Sequence, residues 1–448
     1  MFKNKLWLLF FILFLILALA SLFSCRLIET GEEISEEKTV EENEDVTETE
    51  VIIESEKQLD IEIWDYMGAK ERIALMDSIE KFNNLNPDLN LEARHIRSEQ
   101  ELIDQYKAAS LAGSGPEILL VNMVNMHGLA EANVIKDIDF LDYENFIGGM
   151  EEVSSYNDRY YIIPFRATDF LAFFYNRNHV NNAPEDFEEV VEYCIENNNA
   201  EEQTYGFILN GTEPDWVIPF LGGYSGWIVD YNNYAISLDT SSMEKTLNFL
   251  DYLYNSEDNI MPSDLSYEEI NSMFKNGNLH MVINSIQVIE EYKEENIYFN
   301  TSVIPEVYEG SKNPTPIIEG MGFMVNANCF GQELEASKNF INFMLSEDIQ
   351  LEWNKNTATF PVNKNISENE EFQNSTILYN AFEQAKLCRG DLPEEVLRAI
   401  RDSLRINVEK FLEGDLGIED AVQKIEEDAI RLRSGTITIE ELREESLQ

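Results

Sequence analysis

The chain is short of the residues that carry most recognisable chemistry. Cysteine occurs four times in 448 residues, at Cys25, Cys194, Cys329 and Cys388, and no C-x-x-C pair is present. That excludes a disulfide-built scaffold and a zinc ribbon. Histidine is as scarce, and His95, His127, His179 and His280 show no metal-ligand spacing. Neither a Gly-x-x-x-x-Gly-Lys-Ser/Thr loop nor a Gly-x-Gly-x-x-Gly turn occurs, so no phosphate cradle or dinucleotide fingerprint is available. No metal and no cofactor are expected. Cations are scarce too: 32 Lys and Arg face 85 Asp and Glu, a net charge of −53. Such a surface repels nucleic-acid phosphates, and no nucleic-acid partner is expected.

What remains is ample for a folded protein. The chain is 44% hydrophobic and 11% aromatic, and its length suits two lobes plus appendages. Lys3 and Lys5 precede an apolar run from Leu6 to Leu22, followed by Ser24 and Cys25. A positive start, an apolar middle and a small residue before the cut describe an export signal over residues 1–24. Leu22-Phe23-Ser24-Cys25 resembles a bacterial lipobox, although Phe23 is bulky for its place. The resemblance implies cleavage before Cys25 and diacylglycerol on its sulfur. The alternative is an uncleaved membrane anchor, for which the run is somewhat short against about 20 residues. Both place the rest outside the cytoplasm. With Cys25 lipidated, three cysteines remain; an odd number cannot all pair within the chain, and buried free thiols are expected. Residues 25–57 form an acidic tract that cannot bury enough apolar area to offset its ordering entropy, and they read as a disordered tether.

From Leu59 onward strand and helix patterns alternate. Leu59 to Trp64 alternates apolar and polar residues, as a strand does. Ile73, Met76, Ile79 and Phe82 predict a helix over 70–84. Leu89 to His95 reads as a second strand. Ser98-Glu-Gln-Glu101 reads as a capping box opening a helix to Ala112. Ile118 to Val121 is the continuous apolar run of a strand buried on both faces. This order predicts a three-layer α/β lobe. The pattern recurs: strands near 169–175, 205–209, 279–283 and 322–325, with helices near 185–197, 243–254, 267–275 and 334–345. Beyond Pro361 the chain reads as helical, over 373–387, 393–411 and 418–433.

Several stretches carry a family resemblance through their order. These are Ile61-Glu-Ile-Trp64, Gly115-Pro-Glu-Ile-Leu-Leu-Val121, Tyr161-Ile-Ile-Pro164 with Phe174-Tyr-Asn176, and Phe274-Lys-Asn-Gly277 with Met281-Val-Ile-Asn284. Glu319-Gly-Met-Gly322, Ala336 to Met344, Trp353, Phe360-Pro361 and Glu413 to Ala421 continue the series. Together, from Leu59 to about Ser434, they resemble the maltose-binding-like solute-binding proteins of ABC transporters. Ser285-Ile286 departs from the glycine and tryptophan the family often has there. The resemblance implies an α/β, two-lobe periplasmic-binding-protein-like fold with three interlobe crossings and a ligand cleft. It implies lobes over 58–166 with 286–320 and over 167–285 with 321–448. It also implies a carbohydrate ligand, ABC permease subunits as partners, and a monomer.

Ligands of open α/β lobes gather at strand carboxyl ends. Trp64, Asp65 and Tyr66 stand at such an end and pair an aromatic face with a carboxylate, the two contacts a sugar ring and its hydroxyls need; Trp64 could instead fill the lobe edge. Asn122 and Asn125 follow the next strand, as hydroxyl ligands or as turn residues. Arg166 and Asp169 lie in the first crossing, either on the ligand or as an ion pair bracing the hinge. Trp216, Tyr224 and Trp227 read as a loop platform, with core packing the alternative for Trp216. Asn284, Ser285 and Gln287 lie at the second crossing and Glu319 at the third. Trp353 matches a position where the family often has a stacking aromatic, and it also fits a core helix.

Enzyme signals are poor. Gly223-Tyr-Ser225-Gly-Trp227 lacks the final glycine of a nucleophile elbow. Asp137, Asp139 and Asp142 read as a solvated acidic turn before a calcium site. A sugar receptor is weighed against the same fold with a phosphorylated polyol, polyamine or peptide, against a surface glycoside hydrolase or lyase, and against a non-transport sensor or adhesin. Few basic residues lie near the expected cleft, which argues against sugar phosphates. One expectation concerns the anchor. Cys25→Ser abolishes fatty-acid labelling of the chain in growing cells and leaves it unprocessed or released. A cleaved, mature form of that variant that still partitions into membranes would overturn the lipobox assignment.

Overall fold

The computed structural model of the chain describes residues 58–258, 260–262 and 265–446. The expected signal peptide, Cys25 and the expected acidic tether, residues 1–57 in all, lie outside the described residues. Among the described residues, no helix is long and apolar enough to cross a membrane.

β1 (Leu59–Asp65) pairs in parallel with β2 (Leu89–His95) and β3 (Ile118–Asn122). The crossover helices are α1 (Ala69–Leu85) and α2 (Glu99–Leu111). Ser98 starts α2 by accepting the Glu101 amide at 3.4 Å. Ile118 to Val121 is buried at every position, as a strand covered on both faces must be. In α1 the expected stripe is only half right. Ile79 and Phe82 are buried with Leu75 and Ser78, whereas Ile73 and Met76 are 64% and 43% exposed. Steps of three residues fall behind the 3.6-residue turn, so that stripe winds off the core face.

The hairpin of β4 (Ser155–Tyr156) and β5 (Arg159–Tyr160) precedes β6 (Ile163–Asp169). After Phe170 come β7 (Leu171–Asn176), α3 (Phe187–Asn197), β8 (Tyr205–Ile208) and α4 (Pro214–Gly223). The hairpin of β9 (Val229–Asp230) and β10 (Ala235–Ile236) leads to α5 (Thr240–Asn255), α6 (Tyr267–Asn276) and β11 (Leu279–Ser285). β12 (Phe299–Ser302), β13 (Ile317–Val325), α7 (Gly331–Met344), α8 (Glu347–Thr357) and β14 (Phe360–Pro361) follow. The chain closes with α9 (Thr376–Ala385), β15 (Arg389–Gly390), α10 (Glu394–Leu412), α11 (Ile418–Arg433) and a last short helix over Ile439–Ser446.

The strands form two main sheets. The first has the order β14-β6-β13-β3-β1-β2, with β15 added beside β13; the second has the order β12-β7-β11-β8. The chain leaves the first sheet between β6 and β7, returns between β12 and β13, and leaves again after β14, since α9 packs on β12 and β7. This corrects the lobe limits expected from sequence. Residues 286–302 stay with the second sheet, because β12 pairs with β7. β13 lies wholly in the first sheet, between β3 and β6, so no boundary falls at 320. α7 and α8 cover the first sheet through β1 and α1. Ser285-Ile286 touches the junction through the Ile286 amide on Phe170, but the chain then turns back. Motif order placed the first passage, at Asp169–Leu171, but not the other two, expected at 274–284 and 319–326, because strand pairing decides which sheet each flank joins.

The segment around Trp216, expected as a loop, is helix α4, entered through Pro214 and carrying Pro219 inside. Its end abuts the return passage: a Cβ on Gly222 would stand 1.3 Å from Thr315 Oγ1. Gly222→Ala is therefore expected to lower stability by about 1–3 kcal/mol in thermal melts. Gly128→Ala, whose Cβ meets nothing within 4 Å, is the control and leaves the melting temperature unchanged or raised. Equal effects at the two glycines would refute the close approach.

Candidate functional site

Four of the residues singled out from sequence converge where the sheets meet. Asp169 ends β6, Ser285 ends β11, Glu319 sits on β13, and Trp216 stands in the first turn of α4. With Asp215, Arg401 and the apolar residues Phe170, Leu171 and Ile317 they line a cavity of about 100 Å³. Asp169 and Glu319 are direct cross-strand partners, and the register shifts between Glu319 and Gly320. Such an irregularity re-aims the side chain beside it.

The polar wall is well ordered. The Ser285 hydroxyl donates to Asp169 Oδ1 at 2.6 Å, and the Phe170 amide donates to the same oxygen at 2.8 Å. The Trp216 indole N–H donates to the Ile283 carbonyl at 2.8 Å, and its ring lies 5.8 Å from that of Tyr267. The indole is thus half-buried and held in one orientation, as a stacking surface requires. Arg401 Nε donates to Asp215 Oδ1 at 2.8 Å. Asp391 follows β15, whose Gly390 pairs with Ile318, so it stands beside Glu319. Burial pushes the Asp169 carboxyl up to about 7, with Glu319 adding and the Ser285 hydrogen bond opposing. Burial and then Glu319 push Asp391 up to about 7 as well.

A second set gathers around Glu99, at the start of α2. Its carboxylate accepts the Asn122 amide and side chain at 3.3 and 3.2 Å and the Asn125 side chain at 2.8 Å. Burial, reinforced by Glu99, raises the Tyr66 phenol. Arg166 donates to Glu71 at 2.6 Å; both belong to the first sheet and its helix, so the pair braces that layer and does not bridge the two sheets.

Other expected ligand residues are occupied elsewhere. Asp65 is fully buried and ion-paired to Arg72 and His95. Trp64 is core, with Arg94 covering its ring at 4.6 Å. Trp353 is core as well: its N–H donates to Ser78 Oγ at 3.0 Å and its ring abuts Phe165. Asn284 is buried among Tyr267, Asn271 and Tyr292. Trp227 is buried under Arg389, and Tyr224 packs beside Tyr308; neither lines the cavity. Gln287 opens a short helix with its amide on Ser285 Oγ. Ser225 follows a helix, not a strand, unlike the serine of a nucleophile elbow. Asp142 caps the turn at Tyr143–Asn145, and among the described residues no group of three or more His, Cys, Asp or Glu could hold a metal ion. Cys194, Cys329 and Cys388 are buried free thiols.

Asp215, Arg401, Asp391, Glu99 and Glu71 were missed. Asp215 adjoins Trp216, and that adjacency was a usable signal. Arg401 lies in an amphipathic helix far along the chain, where nothing in the sequence points to a cavity.

A sequence profile described as bacterial extracellular solute-binding protein matches residues 77–380. The maltotriose-binding protein of Pyrococcus abyssi is 20% identical over 326 residues, 71% of this chain and 70% of that protein. Among solved structures, the maltose/maltodextrin-binding domain of Bdellovibrio bacteriovorus bound to maltotriose superposes with a TM-score of 0.58 at 24% identity, covering 83% of this chain and 99% of that one. The extracellular solute-binding protein of Staphylococcus aureus in complex with maltose gives 0.71 at 16% identity, covering 85% and 98%. At such identities these structural likenesses establish the shared fold.

The raised Asp169 carboxyl has a consequence for stability. Its folded value of about 7 lies above the ordinary 3.8, so the neutral form is favoured in the folded state. The stability it contributes is present below the ordinary value and is lost as pH rises through 7. Asp169→Asn is expected to gain on the wild type between pH 4 and 8, by up to about 4 kcal/mol, in paired thermal melts. A difference that does not change with pH would remove Asp169 as the titrating group.

Proposed function

The chain belongs to the bacterial extracellular solute-binding protein family, and we propose that it binds a carbohydrate, a mono- or oligosaccharide, and delivers it to the permease of an ABC importer. The observation that carries this reading is the half-buried Trp216 indole beside Asp169, Asp215, Ser285, Glu319 and Arg401 in one cavity. A sugar ring offers C–H faces to an indole and hydroxyls to carboxylates and guanidinium. Maltotriose in the names of the Pyrococcus and Bdellovibrio relatives and maltose in that of the Staphylococcus protein make malto-oligosaccharides the first candidates.

The protein acts as a receptor, in this reading, by closing on its ligand. Asp169 and Glu319 come from the first sheet, whereas Ser285 and Trp216 come from the second sheet and its helix. A ligand shifts an open–closed balance only through contacts that exist in the closed state alone. Wall residues drawn from both sheets supply such contacts. Lipid on Cys25 would hold a monomeric receptor near its permease, outside the cytoplasm.

The facing carboxylates favour one second reading, a glycoside hydrolase, because a raised carboxyl opposite another acid is the arrangement of a general acid and its partner. One experiment separates the two. Maltotriose at about 100 times its dissociation constant should stabilise the detergent-solubilised full chain by about 2.7 kcal/mol, and Trp216→Ala should abolish the shift. Chromatography of the recovered sugar should return intact trisaccharide, whereas shortened products would install the hydrolase. No shift with maltotriose or any other mono- or oligosaccharide would sink the carbohydrate reading.

A further inference from the structure

Charge and hydrogen-bonding capacity at this cavity do not balance. Asp169 and Glu319 face each other across antiparallel strands, a placement in which like charges repel. Asp391 stands beside Glu319, directly after the neighbouring strand. Among the described residues, no ion pair joins any of these three; the ion pair at the cavity ties Arg401 to Asp215. The donors are already committed as well. The Ser285 hydroxyl is spent on Asp169 Oδ1 and the Trp216 N–H on the Ile283 carbonyl. Among the described residues, no donor reaches Asp169 Oδ2 or either Glu319 oxygen, and Asp391 receives the Leu392 amide on Oδ1 alone. The wall therefore offers acceptors and negative charge, with the remaining Arg401 N–H groups as its donors. At about 100 Å³ the space takes a small head group and leaves the body of the ligand outside.

Resting on the reading that this cavity is the ligand site, we propose that the ligand carries a protonated amine into it. Asp169 and Glu319 accept from the ammonium, Asp391 adds its charge from beside Glu319, and the Trp216 indole covers the carbon skeleton. An ammonium brings three donors, no acceptor and a positive charge, which is the complement of this wall. A neutral hydroxyl supplies a donor but no charge, and leaves Asp215, Glu319 and Asp391 to share the one Arg401 guanidinium. Two sources share this chemistry, an amino sugar and a polyamine.

Titration calorimetry on the detergent-solubilised full chain at pH 7 and low salt, with four probes, tests the proposal. The probes are a glucosamine trisaccharide, its fully N-acetylated counterpart, maltotriose and spermidine. The glucosamine trisaccharide should bind at least about tenfold more tightly than the acetylated one, which keeps the skeleton and removes the charge, and the advantage should shrink in 0.5 M salt. Asp169→Asn should erase that advantage; Glu319→Gln, at a solvent-exposed side chain, should reduce it and guards against a folding artefact at Asp169. If maltotriose or the acetylated sugar binds as tightly as the amine, the ammonium site is refuted while the carbohydrate reading stands. Spermidine binding with all three sugars silent would keep the ammonium site and overturn the carbohydrate reading. Silence from all four probes overturns both.

Discussion

Two antiparallel strands hold Asp169 and Glu319 opposite each other at the seam between two sheets, and much of the surrounding architecture follows from that placement. A single residue, Phe170, separates the end of β6 from the start of β7, so the chain has no room to carry Asp169 away from the junction. Ser285, at the end of β11, is in register with Leu171, which brings its hydroxyl to Asp169. Glu319 arrives on the returning strand beside a break in register. Burial first, and then the nearby Glu319 carboxylate, makes these groups costly to ionise, which is why Asp169 and Asp391 sit far above their ordinary range. A fold optimised for stability alone would not crowd acids here; strain of this kind is ordinarily kept where it serves binding.

The aromatic residues divide along the same seam. Trp64, Trp227 and Trp353 are buried, the first two with an arginine over the ring and the third with its N–H on a serine. Such rings lend mass to the core and offer no free face. Trp216 differs because α4 begins at the seam, and its N–H is anchored to β11 while its ring remains half-buried. Gly222 lets the far end of the same helix lie against the returning chain at Thr315. The stacking surface and the close approach of the two layers are thus two ends of one ten-residue helix.

Polar residues at the ends of β1 and β3 show how a local pattern can be right about position and wrong about partner. Asp65, Tyr66, Asn122 and Asn125 do stand at strand carboxyl ends. Asp65, however, is taken by Arg72 and His95, and the two asparagines are gathered by Glu99. Sequence places a residue at a strand end because the apolar alternation stops there. It says nothing about which helix start will present a carboxylate to it, since α2 is brought over β3 only by sheet order.

Most strands and helices were legible in the sequence, because apolar periodicity and capping act over a few residues and are written where they act. β1, β2, β3 and α11 fall where the pattern puts them. The exceptions were α4, masked by its internal proline and terminal glycines, the strands β6 and β12 and the helix α8, which the pattern did not predict, and the face of α1. The order of motifs also announced a two-sheet fold and located Asp169, Ser285 and Glu319 near its seam. Tertiary structure alone decided the rest: which sheet each flank of a crossing joins, which tryptophan keeps an open face, and that Arg401 reaches Asp215 across 186 residues of sequence. Those outcomes depend on strand pairing and helix packing between segments remote in the chain, and no local spacing encodes them.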